Sequence, residues 1–188
     1  MHRQLQPIVD DYRAASARLH ALVEATPVSA WADRPDPDRW SMAECVAHLN
    51  LTGAAVVPLL QRAVDEGRQM PRSAAGTSYR RDFTGWMLWR MTGPPARMKM
   101  KTIDRFVPSG EAPATALLAE FENWQQLQIR CVEEADGLPL MKIQITSPFN
   151  PKMRYNLYSC FSMLPRHEHR HIWQAEQVWA ALQRRGIG

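Results

Sequence analysis

Apolar residues recur at intervals of three and four along four stretches of the chain, and that spacing predicts four long helices. From about Gln4 to Glu24, Leu5, Ile8, Val9, Tyr12, Ala15, Leu19, Leu22 and Val23 form one apolar stripe, the mark of an amphipathic helix. The stretch from Pro27 to Trp40 is broken by Pro27, Pro35 and Pro37 and by polar turn formers. It reads as a loop anchored to the core by Trp31 and Trp40. Ser41-Met-Ala-Glu44 has the form of a capping box, so a second helix begins at Ser41. Met42, Cys45, Val46, Leu49, Ala55, Val56, Leu59, Leu60 and Val64 carry it to about Gly67, with Pro58 a potential kink.

Residues 68–110 are irregular in pattern, with a short helix expected over Asp82–Met91, and read as an excursion from the core. Helical spacing resumes from Ala112 to Ala135 through Leu117, Leu118, Phe121, Trp124, Leu127, Gln128, Cys131 and Val132, closing at Asp136-Gly137. Leu138 to Arg154 alternates Met141, Ile143 and Ile145 with Lys142 and Gln144, then meets two prolines, and reads as extended loop or one short strand. The last helix runs from near Tyr155 to about Arg184, its stripe being Leu157, Cys160, Phe161, Leu164, His167, His171, Ala175, Val178 and Leu182. Pro165 is awkward there and marks a kink or a break. The expected fold is all-α, a four-helix bundle forming a single domain over residues 1–188.

Composition narrows the class. With 188 residues and 45% hydrophobic content, the chain fills one core and is short for two. The N-terminus has no apolar run, and no stretch approaches the roughly 18 unbroken apolar residues of a membrane span, so a cytoplasmic protein without a membrane partner is expected. Cys45, Cys131 and Cys160 are far apart and lack Cys-x-x-Cys spacing, which fits reduced, partly buried thiols. The net charge of +4 draws on Arg72, Arg80, Arg81, Arg90, Arg97, Lys99, Lys101 and Arg105, interleaved with Tyr79, Phe83, Trp86 and Trp89. Such a stretch has the ingredients of a nucleic-acid footprint. Gly85, Gly93, Pro94 and Pro95 break it and it carries no recognition motif, so no nucleic-acid partner is expected.

The chemistry centres on His167 and His171. Four residues apart on a helix, their Cβ atoms lie roughly 5–6 Å apart on the inward stripe, close enough for two imidazoles to share an ion. His169, about 200° round from His167, faces outward. His48 lies on or near the inward stripe of the second helix, where a hydrogen-bonded core histidine is the commoner outcome unless another helix presents partners. A bundle core of this kind can hold a metal between facing helices, and two imidazoles from one helix with one from another leave open positions. His167-Glu168-His169-Arg170-His171 also matches His-Glu-x-x-His, the zinc-protease helix signature. The 17 residues after His171 contain no histidine, and Glu176 lies on the same helix, so the third ligand of a protease is missing.

Trp40-Ser-Met-Ala-Glu44 leading to His48-Leu49, then Met100-Lys-Thr102 with Phe106-Val-Pro108, Leu138 to Ser147-Pro148-Phe149, and His167-x-x-Arg170-His171-x-x-Gln174 together resemble the DinB-like superfamily over about Ala15 to Leu182. That superfamily includes bacillithiol and mycothiol S-transferases and metal-dependent hydrolases. The resemblance implies an up-down-down-up four-helix bundle, commonly a homodimer, with a divalent ion of zinc or nickel type on His48, His167 and His171. It implies an enzyme of thiol S-transferase or hydrolase type acting on a small-molecule substrate, with a low-molecular-weight thiol as cosubstrate in the transferase case. Glu168 and Gln174 are candidates to support the ligands or accept a proton, with packing or solvent-facing roles as the alternatives. The excursion at 68–110 is placed to cover the pocket, its arginines reading an anionic substrate. The rival reading is a non-catalytic metal-binding or stress-response module.

Overall fold

A computed structural model of the chain describes residues 1–71, 78–95, 102–108 and 112–186. Among them the protein is mostly helical: α1 (Gln6–Ala25), α2 (Met42–Arg68), α3 (Phe83–Thr92), α4 (Ala114–Glu134) and α5 (Leu157–Arg184), with 3-10 turns at Val28–Ala30 and Asp104–Phe106. A two-stranded antiparallel sheet, β1 (Gln144–Thr146) and β2 (Arg154–Asn156), precedes α5 and pairs Ile145 with Tyr155.

One sequence expectation is corrected here, and one of two alternatives at Pro165 is removed. The fold is not purely helical, because the segment read as extended loop or one strand folds back on itself as a hairpin. Its strands are three residues each, too short for alternation to announce two of them, and burial of Ile145 and Tyr155 fixes their register. Pro165 does not break the last helix. α5 continues through it for 28 residues, the proline ring being buried among core side chains that outweigh the lost hydrogen bond. Pro58 likewise sits inside an unbroken α2.

Helix ends follow local chemistry. The Ser41 hydroxyl accepts from the Glu44 N–H at 3.1 Å while the Glu44 carboxylate accepts from the Ser41 N–H at 2.8 Å, the expected capping box. Asp82 caps α3 and Asn156 caps α5, and the two caps interlock: Asp82 also accepts from the Asn156 N–H at 2.6 Å, and Asn156 Nδ2 donates to the Arg80 carbonyl at 3.0 Å. α4 ends where Gly137 takes φ +76°, a conformation that favours glycine.

The packing explains why these helices bury as they do. α2 lies chiefly against α4 and α5, and α1 against α5 and α4. Along α1, partners on α5 ascend from Asp11–His169 to Arg18–Glu176, whereas partners on α4 descend from Tyr12–Gln128 to His20–Glu122. Between α2 and α4 they ascend from Asn50–Leu117 to Arg68–Glu134. By length and composition α2 could cross a membrane, its most apolar window having a mean hydropathy of 1.4, but here its apolar stripe is core.

The core divides into two apolar clusters. One gathers Leu5, Val9, Leu60, Val132, Leu157 and Phe161. The other gathers Leu19, Trp31, Met42, Phe121, Ile172 and Leu182. Between them runs a slice of buried polar side chains: His48 and Thr52 on α2, Gln125 and Gln128 on α4, Glu168 and His171 on α5.

Gly85 is where α3 meets α5, and a Cβ there would fall 2.1 Å from Ser159 Oγ and 2.2 Å from Ser159 Cβ. Gly85→Ala is expected to lower stability by about 1–3 kcal/mol through overpacking. Urea unfolding of the variant beside wild type measures it, and an unchanged midpoint would show that α3 does not depend on this close approach.

Candidate metal centre

The polar slice is positioned by helices whose register the apolar clusters set. α5 carries Leu164 into one cluster and Ile172 into the other, so the turn between them faces the middle of the bundle with His167 and His171 on one side. α2 likewise passes from Val46 and Leu49 in one cluster to Val56 in the other, and His48 stands beside Leu49 where that passage begins. His48 therefore meets the α5 pair, and the potential ligand nitrogens of His48, His167 and His171 all lie within 4.8 Å of one another. Ring centroids are 4.4 Å apart for His48 and His171, 4.6 Å for His167 and His171, and 5.4 Å for His48 and His167.

The hydrogen bonds decide which nitrogens are available. His48 Nδ1 lies 2.8 Å from the Phe106 carbonyl oxygen, which can only accept. Nδ1 therefore carries the proton, and Nε2 of the neutral ring keeps its lone pair. His171 Nδ1 is buried and has no hydrogen-bond partner, a condition that costs about 1–3 kcal/mol when nothing answers it. An orphaned buried imidazole nitrogen beside two further imidazoles is what a soft-to-borderline cation satisfies. Imidazole nitrogens that share one ion at about 2.0–2.1 Å each lie within about 4.2 Å of one another, a separation that small side-chain rotations would reach from the one observed.

The electrostatics agree. Burial, and then the neighbouring His48 and the Arg170 charge, push the His167 pKa down to about 3. His171 is held well below its ordinary value by burial and by His167, His48 and Arg170, with Gln174 opposing. Burial also lowers His48, against the Phe106 hydrogen bond. All three rings are neutral at pH 7, as ligands must be.

Aromatic rings wall the cluster. Trp40 lies 5.0 Å from His48 and is stacked 6.0 Å from His171, Phe106 is 6.4 Å from His48, and Phe149 is 5.9 Å from His167. His48 and His171 are buried, but His167, Trp40 and Phe149 are only half-buried, so the cluster has one side toward solvent.

The remaining predicted residues are placed as follows. His169 turns away from the cluster as expected, but it leans on α1, with Nε2 3.1 Å from the Asp11 carbonyl. Glu168 is buried on the opposite side from solvent: its Oε2 accepts from Gln125 Nε2 at 2.8 Å, and Gln125 also donates to the Tyr12 carbonyl at 2.9 Å. Tyr12 in turn donates to Gln128 at 3.1 Å. Burial pushes the Glu168 pKa up to about 8, against the hydrogen bonds from Gln125 and Gln128. Gln174 is half-buried near His171. The Phe106 carbonyl was not foreseen as a partner of His48, and no side-chain pattern signals a backbone acceptor. Arg72, Arg97, Lys99 and Lys101 lie outside the described residues. All three cysteines are free and buried, and burial pushes Cys131 and Cys160 up to about 11 and about 12, which leaves them poor nucleophiles.

Two opposed pH dependences follow. Free histidine titrates near 6.5, so below that pH the unfolded chain binds protons that the folded cluster refuses, and metal-free protein loses stability as pH falls from about 6.5 toward 3. His167→Gln flattens that decline. A free carboxyl titrates near 4.3 and folded Glu168 near 8, so here the folded state holds the extra proton and stability falls as pH rises across that window. Glu168→Gln is expected to gain on wild type by on the order of 2–4 kcal/mol between pH 5 and pH 8. Urea midpoints at several pH values read both, and parallel wild-type and variant profiles would contradict them.

Against known families, a model described as the DinB superfamily matches residues 11–175. No curated protein and no solved structure matches the chain.

Proposed function

The chain belongs to the DinB superfamily, and on that footing we propose that it is a divalent-metal-dependent enzyme of thiol S-transferase or hydrolase type, with the ion held by His48, His167 and His171. The observation that carries this reading is the convergence of three neutral imidazoles from two helices, one with an orphaned nitrogen, on a cluster that keeps one side toward solvent. Zinc and nickel both suit such a donor set.

When bound, the ion would supply Lewis acidity, lowering the pKa of a water or of a low-molecular-weight thiol on its open side. The protein's own residues supply the rest. The Phe106 carbonyl fixes the His48 tautomer and ring orientation. Phe106 is buried against His48, and Trp40 and Phe149 border the cluster with apolar ring surface, which lowers the local polarity and strengthens charge interactions inside. Arg170 contributes positive charge beside His167 and His171.

The ascending and descending helix pairings support the finer topology, up-down-down-up for α1, α2, α4 and α5. A homodimer acting on a small molecule, which the family likeness suggests, and a cytoplasmic location, which the sequence pattern suggests, complete the proposal; neither nucleic acid nor membrane is part of it. A cluster sealed on all sides would favour the non-catalytic module, and the half-buried state of His167 favours the enzyme.

Elemental mass spectrometry on tag-free protein, wild type beside His48→Ala and His171→Ala, tests the centre. Near-stoichiometric zinc or nickel in wild type, lost in both variants, is expected. Wild type that stays empty after incubation with either ion would overturn the proposal.

A further inference from the structure

Besides His171 Nδ1, one further buried side-chain atom among the described residues lacks a hydrogen-bond partner, Asn50 Oδ1. Asn50 is only 3% exposed. At 100° per residue it lies about 200° round α2 from His48, so it serves a different side of that helix from the histidine cluster.

The neighbours of its amide decide which atom is left over. Nδ2 donates to the Leu117 carbonyl at 3.0 Å and to Glu120 Oε2 at 3.2 Å, a carbonyl and a carboxylate that only accept. Turning the amide over would set its oxygen against those two oxygens, so Oδ1 is the atom without a partner.

Asn50 lines a cleft of about 620 Å³ between α2, α4 and the 104–108 segment, a size common among small-molecule sites. Ala47, Leu51 and Ala54 of α2, Leu117 of α4, and Val107 and Pro108 give it apolar walls, and Leu51 and Val107 are among the large apolar side chains that the fold leaves exposed. The charged groups along it are Glu44, Asp104 and Glu120 against Arg105. Glu44 is met by Arg34, and the Arg105 guanidinium carbon lies 4.7 Å from the centre of the Phe106 ring. Among the described residues, Asp104 and Glu120 have no cation within ion-pair distance. Glu120 receives only neutral donors, Asn50 Nδ2 and, at 3.2 Å, Trp124 Nε1.

The polar groups left unanswered in the cleft are therefore all acceptors. An anion would meet like charge, and a purely apolar molecule would leave the acceptors as they are. A protonated amine brings three N–H donors on one compact positive charge, enough to pair with Glu120 and to answer Oδ1, while its hydrocarbon part covers Leu51 and Val107. Because Oδ1 is buried, the second contact requires the Asn50 side chain to turn toward the ammonium.

We propose that the cleft between α2, α4 and residues 104–108 binds an organic cation, an apolar molecule ending in a protonated amine, with Glu120 and Asn50 holding the ammonium. This site is separate from the histidine cluster and does not rest on the metal-enzyme reading.

Titration of the full-length protein with n-hexylammonium chloride at low ionic strength, followed by calorimetry and by the side-chain amide signals of 15N-labelled protein, tests this. Saturable binding that shifts the Asn50 amide signal is expected, with hexanol weaker and hexanoate without effect. Glu120→Gln removes the charge but keeps a hydrogen-bonding side chain beside Asn50 and Trp124, and should weaken binding by about fivefold or more. Ala54→Trp, which fills the cleft from an exposed position, should abolish it. Glu133→Gln at the exposed end of α4 and His171→Ala should bind as wild type does, and circular dichroism melts check the folding of each variant. No saturable binding, hexanoate binding as tightly as hexylammonium, or binding that Glu120→Gln or Ala54→Trp leaves unchanged would overturn the site. Loss in His171→Ala alone would place the amine at the histidine cluster instead. Absence of binding together with a dimer that Ala54→Trp splits in sedimentation would make the cleft an interface between two copies of the chain, and the proposal would fall.

Discussion

The structure depends on a slice of polar side chains buried across the middle of an otherwise apolar bundle. Each such group must be answered by a partner, since a buried polar atom without one costs about as much as a good hydrogen bond supplies. The protein answers most of them between helices: Tyr12 to Gln128, Gln125 to Glu168 and to the Tyr12 carbonyl, His48 to the Phe106 carbonyl. These bonds tie α1, α4 and α5 together on one side of α5 and α2 to the 102–108 segment on the other. Sliding α4 by a turn would strand several of them at once, and sliding α2 would strand His48, so the slice fixes register where the apolar clusters alone would tolerate alternatives.

The same slice creates the site. Glu168 and the histidine pair point to different sides of α5, and only the carboxyl side is fully answered by protein groups. On the histidine side the His171 nitrogen remains orphaned, and burial keeps all three rings neutral. A cation is the natural completion, because it satisfies lone pairs that no donor reaches.

Much of this was legible in the amino-acid sequence, for reasons that differ by residue. The stripe on α5 placed His167 and His171 inward because their spacing matches the helical period, and Ser41 with Glu44 announced the start of α2. His48 was different: one histidine on an apolar stripe does not say whether it is a ligand, and only the family resemblance singled it out. Glu168 was ambiguous because a glutamate defaults to the surface, and its burial depends on Gln125 and Gln128 more than forty residues away. The Phe106 carbonyl and the stacking of Trp89 with Arg81 and Arg166 left no trace in spacing, since backbone acceptors and ring-to-guanidinium contacts are set by tertiary packing. The hairpin before α5 was too short for alternation to resolve it into two strands, and Pro165 left a kink or a break open because local helix propensity does not say how far a buried environment overrides it.

The central claim is that one ion is held jointly by imidazoles from α2 and α5. X-ray absorption at the metal edge of the zinc- or nickel-loaded protein tests it most directly. The account predicts a first shell containing three imidazole nitrogens at about 2.0–2.1 Å, with the outer-shell scattering of imidazole rings, reduced to two in His48→Ala. A shell with no imidazole signature, or one that His48→Ala leaves unchanged, would contradict it.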